Sequence, residues 1–85
     1  MSYWVYIIES LKDQTYYIGS TSNITKRIEQ HNNGESRYTA NKRPWILFYF
    51  EEHPDKSSAI KRELFLKRQK NRKFYLTLKN TCSEK

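Results

Sequence analysis

Glu63 is a single acid among Lys61, Arg62, Lys67, Arg68, Lys70, Arg72 and Lys73, and far upstream stand Tyr6, Tyr17, Arg27 and His31. These are the residue types that phosphodiester hydrolysis uses. A basic run repels its own members and attracts a polyanion. An arginine offers phosphate a permanently charged fork. Tyrosine and histidine move protons, and a carboxylate can hold a divalent cation.

Glu63 has two readings. As a surface residue it pairs with Lys67 at i+4, which stabilises a helix by about 0.2 to 0.5 kcal/mol. The apolar residues Ile60 and Leu64, with the stem of Lys67, recur at helical spacing, and Glu63 falls on or beside that stripe, facing protein more than water. A carboxylate so placed must be paired, protonated or bound to a cation. Metal ligand and structural ion pair stay open at this point.

The elements that must position these groups follow from local pattern. Residues 3 to 8 are β-branched and aromatic, Lys12, Asp13 and Gln14 form a polar turn, and Thr15 to Gly19 returns: a β-hairpin. Side chains alternate along a strand, so Tyr6 and Tyr17 are expected to point the same way. Ser20, Thr21, Ser22 and Asn23 offer helix caps, and Ile24 and Ile28 open an amphipathic helix that ends at Asn32, Asn33 and Gly34, with Arg27 and His31 one turn apart. Residues 35 to 44 read as a loop with room for one helical turn. Trp45 to Phe50 is a third strand, and a helix starts near Ser57 with Asp55 or Ser57 as cap. A shorter helical piece is expected from Lys73 to Lys79. The fold class is therefore α+β, a small three-stranded antiparallel sheet flanked by helices, with the sheet position of the third strand undetermined.

With 85 residues the chain has room for one modest core, taken as a single domain over 3–75 followed by a polar tail over 76–85 that is expected to be disordered. The one cysteine, Cys82, excludes an internal disulfide framework. With no secretory leader after Met1 and no long apolar run, the chain reads as cytoplasmic. A net charge of +7 with seven tyrosines and two tryptophans suits a nucleic-acid partner, since cations hold phosphates and aromatic faces stack on bases. Attachment to a membrane surface needs a strongly apolar helix face, and Ile60, Leu64 and Phe65 are too few.

The string Tyr17, Ile18, Gly19, Ser20, Thr21, followed by Lys26, Arg27, His31 and Asn32, together with Trp4, Val5, Tyr6 and the late Glu63, resembles the GIY-YIG nuclease superfamily. The resemblance runs from Tyr3 to about Lys73 and is greatest to the short standalone branch. Trp4 replaces the first glycine of the motif. Ser20 stands where the excision-repair branch has a lysine, no histidine lies near Tyr38 and Thr39 where homing enzymes carry one, and neither Asn71 nor Asn80 fits a late active-site asparagine.

What the resemblance implies is an endonuclease that cuts nucleic acid, DNA favoured, with Mg²⁺ or Mn²⁺ held by Glu63. Arg27 would stabilise the transferring phosphate. Tyr6 would be the general base, its pKa lowered by neighbouring cations, with His31 relaying the proton and Tyr17 orienting water or phosphate. Lys26, Lys67, Arg68, Lys70, Arg72 and Lys73 would bind the nucleic-acid backbone, and a partner protein could supply substrate specificity. The rival class is a nucleic-acid-binding module without catalysis. Taken singly, Tyr6, Tyr17 and His31 read as core residues and Arg27 as a surface cation; it is their joint presence with Glu63 that favours the enzyme.

Overall fold

The computed structural model describes residues 2–35 and 37–83; Met1 and the last two residues of the expected tail lie outside the described residues. The element order is β1 (Tyr3–Ser10), β2 (Tyr16–Thr21), α1 (Ile24–Asn32), α2 (Arg37–Ala40), β3 (Trp45–His53), α3 (Lys56–Gln69) and α4 (Arg72–Ser83). The strands form one antiparallel sheet in the order β2-β1-β3, which fixes the third strand beside the first. β1 is central and covered on both faces, which is why Val5 to Ile8 is an unbroken apolar run rather than an alternating one.

Alternation divides the core in two. Val5, Ile7, Ile18 and Phe48 pack under Ala59 and Leu66 of α3 and Tyr75 of α4. Tyr6, Ile8 and Trp45 form a smaller cluster on the opposite face, against Tyr17 and Ile28 of α1. A register shift in the β1–β3 pairing falls between Ile7 and Ile8, where Tyr49 and Leu47 are the partners and Phe48 is the extra residue.

Caps set the helix boundaries. Asn23 accepts from the Lys26 amide at 3.1 Å to start α1, and Asp55 accepts from the Ser58 amide at 2.8 Å to start α3. Lys70, at φ 44°, turns the chain left-handed to end α3, and Asn71 then accepts from the Lys73 and Phe74 amides to open α4. α4 runs to Ser83, beyond the helical piece read from the sequence and into the segment read as a tail.

On α3 the inward residues are Ala59, Arg62, Glu63 and Leu66. Ile60 and Leu64, the expected buried stripe, are 38% and 51% exposed. The helix is rotated relative to that expectation because Arg62 is drawn onto β3. There Glu51 accepts from Arg62 Nε at 3.0 Å, Tyr49 Oη at 2.6 Å and His53 Nε2 at 2.6 Å. Glu63 still faces protein, one residue along from the arginine.

Candidate active site

Tyr6 lies directly opposite Gly19 in the hairpin, and its ring crosses the glycine. A Cβ at Gly19 would stand 2.6 Å from Tyr6 Oη and 2.8 Å from Cζ, so only glycine leaves room for the phenol. Tyr6 Oη lies 3.0 Å from His31 Nε2, and His31 Nδ1 lies 2.8 Å from Thr39 Oγ1. All three residues are buried. Tyr17, on the same sheet face, meets the His31 ring edge-on with centroids 5.0 Å apart and lies 6.4 Å from the Tyr6 ring. The sequence expectation that the two tyrosines point the same way holds.

Three elements lock the imidazole in place. Asn32, the last residue of α1, donates from Nδ2 to the Trp45 carbonyl at 3.0 Å and accepts from the Trp45 amide at 2.6 Å, tying the helix to the start of β3. Trp45 Nε1 donates to the Thr39 carbonyl at 2.9 Å, which fixes α2 and the hydroxyl beside His31. Neither Thr39 nor Asn32 was assigned a site role from sequence, although Asn32 closes the motif string that carries the family resemblance. Asn32 carried a signal, standing next to His31 at a helix end, whereas Thr39 sits in a single helical turn whose pattern carries none.

Proton positions follow from the donors available. Arg27 Nη1 donates to Gln30 Oε1 at 3.0 Å, and its fixed positive charge acts on the Tyr6 phenol, which favours turning the phenol oxygen towards the guanidinium and the phenol proton towards His31 Nε2. Nδ1 then carries the imidazole proton and donates to Thr39. Burial, with the charge of Arg27, pushes the His31 pKa down to about 4, so the ring is neutral at pH 7.

Tyr6 departs from the sequence expectation of a lowered pKa. Burial pushes it up to about 12, and Arg27 opposes the rise without overcoming it, while Tyr17 and Glu63 add to it. A phenol at that pKa is ionised in roughly one molecule in 10⁵ at pH 7. The cations of the sequence pull in the expected direction, but the loss of hydration is larger.

Glu63 approaches from the other face of the sheet. Its Oε1 accepts from Ser20 Oγ at 2.7 Å and its Oε2 pairs with Lys67 Nζ at 2.7 Å. Ser20 follows Gly19, so alternation turns it towards α3 while Tyr6 and Gly19 face α1. Glu63 thus stands near enough to influence Tyr6 electrostatically, through the strand rather than beside the ring. Among the described residues no three His, Cys, Asp or Glu side chains cluster as a metal cage. The donor set does fit a hard divalent ion of the Mg²⁺ type, which binds through one or two carboxylates and fills its shell with water and substrate phosphate oxygens. Lys67, the ion-pair partner of the Glu63 carboxylate, has a side chain 47% exposed.

The six cations read from sequence as backbone contacts separate into two groups. Lys67, Lys70 and Arg72 line one open groove of about 800 Å³ together with Tyr16, Tyr17 and Tyr75, between the outer edge of β2 and the α3–α4 junction. Arg72 lies over the Tyr16 ring at 5.5 Å and 3.5 Å from Glu9. Lys26, Arg68 and Lys73 are exposed and outside this lining.

Residues 2–76 match the GIY-YIG catalytic domain. The chain belongs to the GIY-YIG family. It is 39% identical over 83 residues to a UPF0213 protein of Clostridium perfringens, covering 95% of this chain and 88% of that protein. A UPF0213 protein of Bacillus cereus is 45% identical over 69 residues, 80% of this chain and 70% of its relative. The solution structure of a UPF0213 protein from Bacillus halodurans superposes with a TM-score of 0.55 at 32% identity, over 91% of this chain and 82% of that one. The three-stranded antiparallel sheet flanked by helices thus matches the fold of that solved UPF0213 structure. No helix among the described residues is long and apolar enough to cross a membrane.

Proposed function

We propose that this GIY-YIG domain is an endonuclease that hydrolyses phosphodiester bonds in nucleic acid, with DNA as the favoured substrate and a divalent cation, Mg²⁺ or Mn²⁺, held through Glu63. The observation that carries the reading is the Tyr6–His31 pair: a protonated phenol 3.0 Å from a neutral imidazole, beside a guanidinium. Such a pair accepts a proton without a standing phenolate. As water attacks phosphorus, Tyr6 Oη takes its proton and passes its own to His31 Nε2, and the resulting imidazolium is steadied through Nδ1–H by Thr39. Water oxygen bonds to phosphorus, and the ester P–O bond breaks towards the departing oxygen.

Arg27, always protonated, holds the phosphate oxygens as charge builds on them. Tyr17 orients phosphate or water from the groove side. A divalent cation held through Glu63 would supply positive charge to offset that building on the phosphate and the departing oxygen. Lys67, Lys70 and Arg72 lead the backbone to the site as counter-charges.

One observation favours the rival reading of a binding module without catalysis: Glu63 is satisfied by Ser20 and Lys67, as a structural ion pair would be. Incubation of labelled duplex, single-stranded and branched DNA with the protein, with Mg²⁺ and with EDTA, separates the two. Mg²⁺-dependent fragments that vanish in Glu63→Gln support the enzyme. Binding without fragments on every substrate would refute it.

A further inference from the structure

The face of the sheet that carries Tyr6 is only partly covered. α1 packs through Ile28 on the cluster of Tyr6, Ile8 and Trp45. Phe50, the register partner of Tyr6 on β3, is 41% exposed, and Leu47 is 38% exposed. Trp4, two residues before Tyr6 on β1, shares this face. Its ring centroid lies 5.9 Å from that of Phe50 with the planes tilted by 57°. Trp4, Phe50, Leu47 and Ile24 enclose an open cleft of about 410 Å³, with Ser22 and Thr25 on its rim. For a chain of mean hydropathy −0.98, an exposed apolar cleft calls for an occupant.

Charge and position choose among occupants. Among the described residues no charged side chain lines the cleft, and Lys26 and Arg27 follow its lining residue Thr25 along α1. Glu52, opposite Trp4 in register and hydrogen-bonded by Ser2 Oγ, lies at the far end, so a phosphate is drawn to the α1 side and repelled from the other. The molecule carries +7 overall. Two residues along a strand advance roughly 6.6 Å, which puts Trp4 within reach of the nucleotide neighbouring a phosphate at Arg27. Bases stacked in a duplex show only their edges to a protein, so an aromatic pair can stack only on a base that has left the stack.

We propose that the Trp4–Phe50 cleft receives a nucleobase unstacked from a DNA strand, next to the phosphate held by Arg27. The substrate class is then DNA with an unpaired nucleotide rather than continuous duplex. The inference rests on the hydrolase reading for which phosphate is cut, while the base contact itself needs no chemistry.

The test is a binding measurement in EDTA, by fluorescence anisotropy, on a labelled duplex with one unpaired thymidine and on the same duplex with an abasic residue at that position. Removing the base leaves every phosphate in place. Wild-type protein should bind the abasic duplex about 5- to 150-fold more weakly, the range of one lost base–aromatic stack. Trp4→Leu and Phe50→Leu, which keep apolar bulk, should bind both duplexes with the weaker affinity and show an unchanged salt slope. Equal wild-type affinity for the two duplexes overturns the proposal without recourse to any variant. So does a Phe50→Leu protein that keeps the full base dependence, or one whose only change is in self-association by sedimentation, which would make the cleft an interface between copies of the chain. Cleavage of the bulged duplex with Mg²⁺ is scored separately: its absence refutes the hydrolase reading and leaves the base contact standing.

Discussion

Folding stability should fall as the solution is acidified from pH 7 to pH 5, and His31 should be the cause. In the folded chain its pKa is about 4, against 6.5 when solvated, because the ring is buried and faces Arg27. The unfolded chain therefore takes up a proton between these values and the folded chain does not. Stability rises with pH wherever the unfolded state binds more protons, so this contribution is fully present above about pH 6.5 and is lost as pH falls towards 4. The full shift of 2.5 pKa units corresponds to about 3 kcal/mol, and the part lost between pH 7 and pH 5 to about 2 kcal/mol. Urea denaturation at the two pH values, on wild type and on His31→Gln, measures it. Glutamine keeps one donor and one acceptor but does not titrate, so the variant should lack that 2 kcal/mol. His53, paired with Glu51, is the same in both proteins. The same slope in both proteins would refute a neutral buried His31, and with it the proton acceptor assigned to Tyr6. An NMR titration of the imidazole gives the same answer directly: its resonance should stay unshifted down to about pH 5.

Tyr6→Phe keeps the ring over Gly19 and removes only the hydroxyl; circular dichroism should be unchanged while Mg²⁺-dependent cleavage drops by about 10² to 10⁴, and full activity would leave His31 acting on water by itself. Gly19→Ala should cost a similar loss by another route, since its Cβ would stand 2.6 Å from Tyr6 Oη and force the phenol away from His31; a crystal structure or the His31 titration should register the displacement. Glu63→Gln should abolish cleavage and spare DNA binding measured in EDTA. Replacing Lys70 or Arg72 by Gln should lower the slope of log affinity against log salt by about one each, and the exposed Arg68 should have a smaller effect if the groove is the path of the backbone.

What was legible in the sequence follows the reach of local rules. The hairpin, α1, β3 and α3 were readable because alternation, caps and turn residues act over a few positions. Two features were misread for the same reason. The stripe of Ile60 and Leu64 has the correct period, yet α3 turns Ala59, Arg62, Glu63 and Leu66 inward, because Glu51 on another element holds Arg62. Period fixes the spacing of a face and not its direction. The Tyr6 pKa was expected to fall because the chain is cationic. It rises because hydration is lost to Tyr17, His31 and α1, neighbours brought in by folding. Ser20 was legible as a helix-cap candidate and a member of the motif string, and Thr39 as a loop position, but their partners Glu63 and His31 were not, because a hydroxyl's value lies in what folding brings beside it.

The alternation that organises the hairpin also explains why the site has two halves. Tyr6 and Gly19 face α1, whereas Val5 and Ser20, one step further along the paired strands, face α3. Groups on successive residues of a strand cannot meet through the sheet, so the phenol–imidazole pair and the carboxylate can act on one substrate only where the sheet ends. β2 is an edge strand, and the groove lined by Tyr17, Lys67, Lys70 and Arg72 runs along its outer side. Under the proposed hydrolase reading, a phosphate reaching over that edge would have Arg27 and the Tyr6–His31 pair on one side and Glu63, held by Ser20, on the other. Lys67 belongs to both, as the partner of Glu63 and as a wall of the groove. A divalent cation held through Glu63 would therefore have to take the place of the Lys67 ammonium on that carboxylate. On the proposed reading, the edge of the hairpin is where the two halves of the site would meet.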